Sequence, residues 1–300
     1  MLVRANRIFK VIKDKKLQND NTSTTPRQKK LEIFRLIEFT RKIIELIFTS
    51  HSSPTWNKSN DNSMFELFQM LLGSILADIY KVGRCTENAD LGIISFLKTG
   101  INKGIEIIRV SGEGVDTVNH NFIAIDRNQN NNVKNLASWG NFIKFDPWGN
   151  DIAQHDERNI PSLASLCSGQ LHCINDISVK WSRTGNLNKK ECENILFFLV
   201  NVKKIITESL LAMAAIMCNR KDYNTTYELA AIHKKIDEEI EDFGALIKAP
   251  PTSPNAFMVK HYNSSTQYSA NLFENRKHRF IVKHYESGLL VTNNTVFKVS

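Results

Sequence analysis

Apolar side chains recur at steps of three and four residues through most of the first hundred positions, which is the spacing of amphipathic helices. This pattern predicts helices over residues 29–48, from Ser63 to about Gly83, and from Cys85 to about Gly100. The stretches 17–28 and 49–62 are rich in Asn, Ser, Thr and Pro, so we predict that they are loops.

The hydrophobic pattern then changes to the alternation that is typical of half-buried strands. Strands are predicted at 104–110, 118–126 and 141–148. Polar turns separate these segments, and Pro147 stops the last one. Helical spacing returns over 189–219 and 226–247, which we expect to pair as an antiparallel hairpin. The fold class expected from this order is α+β.

The same patterns suggest four parts of the chain. They are a basic flexible arm (1–28), a core of helices and strands (29–185), a helical hairpin lobe (186–250) and a small C-terminal segment with strand-like pieces (251–300). The segment KAPPTSP at 248–254 supplies the last boundary because prolines interrupt regular structure.

The positive charge is concentrated in the N-terminal arm. Residues 1–30 contain nine basic and two acidic residues, so they carry +7 of the net charge of +8. A nearly neutral body argues against specific nucleic-acid binding. The arm also carries apolar residues, so it either forms an amphipathic helix at an anionic membrane surface or remains a solvated arm. It lacks the apolar core and cleavage site of a secretory signal peptide.

The chain has an odd number of cysteines, which argues against a disulfide framework and favours a reducing compartment. They are Cys85, Cys167, Cys173, Cys192 and Cys218. A zinc site built from Cys167, Cys173, His155 and His172 would match no standard ligand spacing. We therefore expect no metal and no cofactor.

Three residues in chain order suggest nucleophilic chemistry. Cys85 opens a predicted helix, His120 lies within a strand and Asp146 ends the next strand. The N–H groups of a helix N-terminus stabilise a thiolate and can also bind a developing oxyanion. A histidine can transfer the thiol proton, and a neighbouring carboxylate can orient that histidine. His120 and Asp146 meet only if the strand register brings their faces together, and the sequence leaves that register open. The alternative is that these residues have only structural roles, as a buried thiol, a core histidine and an aspartate that ends a strand.

The segments GRCTENADLGIISFLKTG, NHNFIAID and FIKFDPW together resemble the core of the transglutaminase-like and papain-like thiol enzymes. In that group a Gly-x-Cys opens a helix, a His lies on a following strand, and an Asp or Asn closes the next strand. The resemblance covers residues 83–148, and it implies that Cys85 is the nucleophile, His120 the base and Asp146 the orienting acid. It also implies a nucleophile helix packed on a small antiparallel sheet. Many members in this minimal form are bacterial effectors or toxins.

One departure from the papain-type pattern bears on the reaction. Those proteases place a Gln six residues before the cysteine, where this chain has Ile79. The departure favours the transglutaminase-like side, in which an upstream Trp assists the oxyanion. Trp56 or Asn57 is the candidate for that part, and Trp148 is expected to line the site.

The resulting expectation is a cysteine-dependent acyl-transfer enzyme, a glutamine deamidase or transglutaminase that acts on a host protein. A cysteine protease of the same fold group is the first alternative, and a non-catalytic interaction module is the second. The resemblance implies secretion by a bacterium into a host cell and action in a reducing cytosol.

Overall fold

The computed structural model describes residues 1–20, 25–49, 62–112, 119–166, 174–248, 289–292 and 295–298. The chain divides into two compact units, Met1–Pro254 and Asn255–Ser300. The first unit is α+β, with helices packed on a five-stranded antiparallel sheet. The expected fold class is correct at this level.

Four helices precede the sheet. They are α1 (Leu2–Asp14), α2 (Arg27–Thr49), α3 (Asn62–Tyr80) and α4 (Cys85–Thr99). The last three confirm the helical periodicity of the sequence. The segment Ser63–Tyr80 is the one helical stretch among the described residues that is long and apolar enough to cross a membrane, and 78% of it is buried within the protein.

The sheet has the strand order β4-β3-β2-β1-β5, and every neighbouring pair is antiparallel. Its strands are β1 (Gly104–Gly112), β2 (Asn119–Ile125), β3 (Phe142–Asp146), β4 (Asp151–His155) and β5 (Ile174–Thr184). The three predicted strands are β1, β2 and β3. Neither β4 nor β5 was predicted, although Ile177, Val179 and Trp181 of β5 alternate with polar residues, and these two strands are the edges of the sheet.

Helix α4 lies directly on one face of this sheet because it carries a glycine at the point of closest approach. A Cβ on Gly92 would be 2.5 Å from Cδ1 of Ile123 on β2 and 3.0 Å from Cε1 of Phe145 on β3. Ile93 and Phe96 of α4 are completely buried. Each such side chain contributes about 1.5–3 kcal/mol of hydrophobic stabilisation, so the position of α4 on the sheet is firmly determined.

The other face of the sheet carries a separate apolar cluster. Phe122 and Ala124 of β2 pack there against Trp139, which lies between β2 and β3. They also share this cluster with Leu166 of the short helix α5 (Leu163–Leu166). Because side chains alternate along a strand, His120 shares this face with Phe122.

The N-terminal segment is not a flexible arm, which corrects the expectation for residues 1–28. Helix α1 packs against α4, β3 and β4, and its Ala5, Ile8 and Ile12 are buried. Phe9 makes an edge-to-face contact with Phe145 at 5.7 Å. The apolar side of α1, which a membrane would need, is therefore occupied by the protein. The basic residues that suggested an arm are the solvent side of an amphipathic helix.

The region predicted as a helical hairpin consists of three helices in the structure. They are α6 (Lys189–Ile205), α7 (Glu208–Met217) and α8 (Thr225–Lys248). The break after Ile205 is produced by Thr207, whose side chain caps α7 by accepting a hydrogen bond from the Leu210 N–H at 3.3 Å. These helices contact α2, α3 and α4, so 186–250 belongs to the same compact unit as the sheet and is not a separate lobe.

The second unit contains a β-hairpin of β6 (Leu289–Thr292) and β7 (Thr295–Lys298). The pairing agrees with the strand-like pattern near the C-terminus. The other predicted strand piece, at 278–285, lies outside the described residues.

Candidate active site

Cys85 is the first residue of α4, as the sequence predicts. The helix is capped by the Glu87 carboxylate, which accepts a hydrogen bond from the Arg84 N–H at 2.8 Å and is itself paired with Arg41 at 2.8 Å. The first N–H groups of a helix have no acceptor within the helix. The Cys85 side chain is therefore placed beside backbone donors, and its thiol contacts the Asn119 carbonyl oxygen at 3.7 Å.

His120 and Asp146 form a direct pair inside the sheet. The register aligns Ile123 with Phe145 and Ala124 with Lys144, so Asp146 and His120 project from the same face as diagonal neighbours. His120 Nε2 is 2.7 Å from Asp146 Oδ2, and both side chains are almost fully buried. The register that the sequence left open is therefore the one that joins these two residues.

The thiol meets this pair at the end of the sheet where β2 begins. Helix α4 covers the face of Ile123, whereas His120 projects from the opposite face, so the contact occurs beside the sheet end and not beneath the helix. Cys85 lies close enough to His120 to raise the pKa of the imidazole. His120 Nδ1 is buried and has no hydrogen-bond partner in the described part of the chain, and the thiol donates instead to the Asn119 carbonyl oxygen. Because Nε2 is occupied by Asp146, Nδ1 is the ring nitrogen that remains available to Cys85.

The electrostatics of the pair favour a charged imidazole. Burial alone would lower the pKa of His120, but its hydrogen bonds and charge interactions with Asp146 and Cys85 raise it to about 9. Burial would raise the pKa of Asp146, but the hydrogen bond and charge of His120 hold it below its usual value. At neutral pH the site therefore contains an imidazolium between a carboxylate and a thiol, and a cation next to a thiol stabilises the thiolate.

Two further groups hold the His120–Asp146 pair in place. The other oxygen of Asp146, Oδ1, accepts a hydrogen bond from the Gly149 N–H at 2.9 Å. The Trp148 ring lies 5.3 Å from the His120 ring, so it covers the pair. Trp148 Nε1 is buried and has no hydrogen-bond partner among the described residues. Trp148 therefore lies beside the His120–Asp146 pair, and a role in substrate binding stays a prediction.

Arg84, the residue before Cys85, has its guanidinium engaged by groups other than the thiol. Its guanidinium forms a two-pronged ion pair with Asp20 and lies 5.6 Å from the ring centroid of Phe34. This pairing ties the start of α4 to the segment between α1 and α2. Gly83 is needed here for space, because a Cβ would lie 2.8 Å from Cβ of Glu87.

Sequence reasoning missed a second polar contact between α4 and β2. Asn121 Nδ2 donates a hydrogen bond to Thr86 Oγ1 at 2.7 Å, and Asn121 is 6% exposed. The contact joins the residue after the thiol to the residue after the histidine. The signal was the polar Asn inside an otherwise apolar strand, which burial makes unusual unless the amide has a partner.

The remaining predicted site residues are placed as follows. Trp56 and Asn57 lie outside the described residues, and so do Cys167, His172 and Cys173. His155 packs on Phe142, and its Nδ1 is 3.2 Å from the Asn159 carbonyl oxygen. Within the described ranges no group of three or more His, Cys, Asp or Glu side chains is arranged to hold a metal ion.

No protein-family model, no curated protein and no solved structure matches this chain. The site is therefore interpreted from its own geometry. That geometry places a thiol at a helix N-terminus close to a buried imidazole that is paired with a carboxylate. These are the components that acyl transfer through a thiol requires.

Proposed function

We propose that this protein is a cysteine-dependent acyl-transfer enzyme that acts on a carboxamide of a protein substrate. The observation that carries the proposal is His120, which is held by Asp146 at 2.7 Å through Nε2, lies close to Cys85 and keeps Nδ1 without a hydrogen-bond partner among the described residues. A buried histidine with a purely structural role normally has a hydrogen-bond partner at each ring nitrogen, whereas Nδ1 of His120 has none among the described residues and Cys85 lies close by. We further propose that the α4–sheet arrangement is a transglutaminase-like variant of the papain-like core.

The reaction begins with attack of the Cys85 thiolate on the carboxamide carbon. The developing oxyanion is stabilised by N–H groups at the start of α4. His120 then gives its proton to the amide nitrogen, the C–N bond breaks, and ammonia leaves. The substrate remains attached to Cys85 as a thioester. Asp146 keeps the imidazole oriented throughout and stabilises its positive charge.

The acceptor decides the product of the second step. If neutral His120 takes a proton from water, the hydroxide attacks the thioester and releases a carboxylic acid, so that Gln becomes Glu. If a primary amine attacks instead, the product is an isopeptide cross-link. Ile79, which is buried in α3, stands where papain-type proteases have Gln, and this difference supports a carboxamide substrate over a peptide bond.

A reducing site of action is part of the same proposal. Cys85, Cys192 and Cys218 are free, as expected for a protein that works in a cytosol. We propose that the protein is a bacterial effector whose substrate is a host protein. The support is the resemblance of residues 83–148 to minimal thiol enzymes, many of which are bacterial effectors or toxins.

The decisive experiment compares the wild-type protein with Cys85→Ala on host-cell extract, read by mass spectrometry of intact proteins and peptides. Deamidation gives a gain of about one dalton at a Gln, with release of ammonia, through a thioester that hydroxylamine intercepts. Cys218→Ala is the matched control, because Cys218 is a free thiol on a different helix end.

Four outcomes separate the candidate functions. Modified glutamines that depend on Cys85 support the deamidase proposal, and incorporation of an added primary amine supports cross-linking. Cleaved fragments would identify a protease. A protein that gives no product dependent on Cys85, while Cys85→Ala still binds the same host protein, would be an interaction module.

A further inference from the structure

A buried lysine lies behind the proposed catalytic acid. Lys144 precedes Asp146 by two residues on β3, so both side chains project from the same face of the sheet. Lys144 is 1% exposed, and its Nζ is 5.6 Å from the ring centroid of Phe122. A charged ammonium in such a place is costly unless carboxylates and carbonyl oxygens surround it.

Oxygen atoms from three elements surround this ammonium. Nζ is 2.7 Å from Asp151 Oδ2 on β4 and 2.8 Å from the Ser165 carbonyl oxygen on α5. It is also 4.0 Å from Asp146 Oδ2, the oxygen that contacts His120. Lys144 thus connects the proposed catalytic pair to a carboxylate that is 37% exposed at the sheet edge.

The strand register explains why a cation is needed here. Asp146 and Asp151 are directly opposite each other across β3 and β4. Like charges at such positions repel each other. Asp151 is partly solvated, whereas Asp146 is 1% exposed and depends on neighbouring charges to remain ionised.

The charged groups around Asp146 come from each neighbouring element. His120 faces it from β2, Lys144 from β3 and Asp151 from β4, while Lys13 of α1 donates to the Pro147 carbonyl oxygen at 3.3 Å. Without Lys144, the repulsion between the two carboxylates would be offset by the imidazolium of His120 and the Gly149 N–H with no contribution from the ammonium group. Protonation of Asp146 would then relieve the repulsion.

We propose that Lys144 is a positioning residue for the thiol site, which keeps Asp146 ionised so that His120 is held as an imidazolium beside Cys85. The proposal rests on the proposed function for its biological meaning. Lys144 does not contact the reacting atoms and acts through Asp146. From the sheet edge to the thiol, the neighbouring ionisable groups are, in spatial order, Asp151, Lys144, Asp146, His120 and Cys85.

The test is the pH dependence of Cys85 alkylation by iodoacetamide, which needs no substrate. The rate of modification at Cys85 is measured by peptide mass spectrometry between about pH 4 and pH 9, a range that spans the titration of carboxyl and imidazole groups. In Lys144→Met the acid midpoint of this profile moves upward by about one pH unit, the usual effect of a cation within 4–6 Å of a carboxyl group. Lys144→Arg retains the charge and restores the wild-type midpoint.

Lys98→Met is the matched control. Lys98 is also a buried lysine, and it pairs with Asp242 at 3.1 Å far along α4 from Cys85. Its loss costs stability without a change near Asp146, so the acid midpoint stays at the wild-type value. A folded Lys144→Met with an unshifted midpoint would overturn the proposal.

If Lys144→Met does not fold, a second variant tests the role of Lys144. Asp151→Asn removes the opposing carboxylate and leaves Lys144 in place, so the acid midpoint moves downward. No movement in Asp151→Asn would count against the proposal. The failure of the two proposals is distinguishable: an active enzyme without these shifts refutes the role of Lys144, whereas shifts in a protein without acyl-transfer activity refute the proposed function.

Discussion

Replacing Asp146 by Asn tests the charge on which the whole site depends. The pKa of His120 is about 9, against an ordinary value of 6.5. A difference of this size is worth roughly 3 kcal/mol in favour of the imidazolium, at about 1.4 kcal/mol per pKa unit. Burial opposes this shift, so the interactions of His120 with Asp146 and Cys85 exceed the net value. The hydrogen bond to Asp146 is the largest favourable contribution.

The amide that replaces the carboxylate in Asp146→Asn can still accept a hydrogen bond from Nε2, but it carries no charge. We therefore expect the pKa of His120 to fall by roughly 2 units in this variant, to near its ordinary value, since burial still acts against the charged form. Nitrogen-15 NMR of the imidazole ring across the pH range reads this pKa directly. His120→Gln assigns the resonance, and His155 serves as an internal reference.

The pH dependence of folding stability in wild type and in Asp146→Asn follows from the pKa shifts of His120 and Asp146. The raised pKa of His120 stabilises the fold fully below about pH 6.5, and that contribution is lost as the pH rises through about 9. The lowered pKa of Asp146 stabilises the fold above its ordinary value of 3.8, and that contribution is lost as the pH falls. The stability difference between wild type and Asp146→Asn is therefore largest from about pH 4 to pH 7. A His120 pKa that stays near 9 in the variant would refute the reasoning.

Three other substitutions test the framework around the site. Gly92→Ala should lower the free energy of unfolding by about 1–2 kcal/mol in urea titrations, because overpacking against the sheet outweighs the better helix propensity of Ala; an unchanged midpoint would mean that α4 lies further from the sheet. Asp90→Asn should raise stability at pH 8 by a few kcal/mol and have little effect at pH 4. Burial raises the pKa of Asp90 to about 8, so ionisation of this carboxyl group is disfavoured in the folded protein but not in the unfolded chain, and stability falls as the pH rises. Equal gains at both pH values would exclude a titration effect. Arg84→Gln should cost about 1–2 kcal/mol through its half-buried pair with Asp20 and change the rate of Cys85 alkylation less than about threefold; a large loss of thiol reactivity would restore the direct electrostatic role that the pairing argues against.

Local periodicity was enough to predict α2, α3 and α4 and the strands β1, β2 and β3. Each of these elements has one continuous apolar face, and such a face follows from the spacing of side chains along the chain alone. The order of Cys85, His120 and Asp146 on a helix start, a strand and a strand end was also visible, because a helix start and a strand end are local features. The contact between these residues remained a hypothesis, since a shift of one residue in register would have turned Asp146 to the other face.

The unpredicted features all depend on distant partners. Helix α1 was interpreted as a solvated arm because its charges dominate the local pattern, and only the sheet and α4 show where Ala5, Ile8 and Ile12 are buried. The edge strand β4 was missed for a related reason, since its pairing with β3 gives it a place that its composition does not indicate.

The sequence by itself determined the main helices and strands and the residue types of the site. The tertiary structure alone decided that His120 lies between Asp146 and Cys85, that Arg84 pairs with Asp20, and that Lys144 lies between two carboxylates. The physical reason is that periodicity reports which side of an element is buried. Charge pairing depends on which elements are neighbours and in what register, and several kinds of long-range packing satisfy the same local pattern.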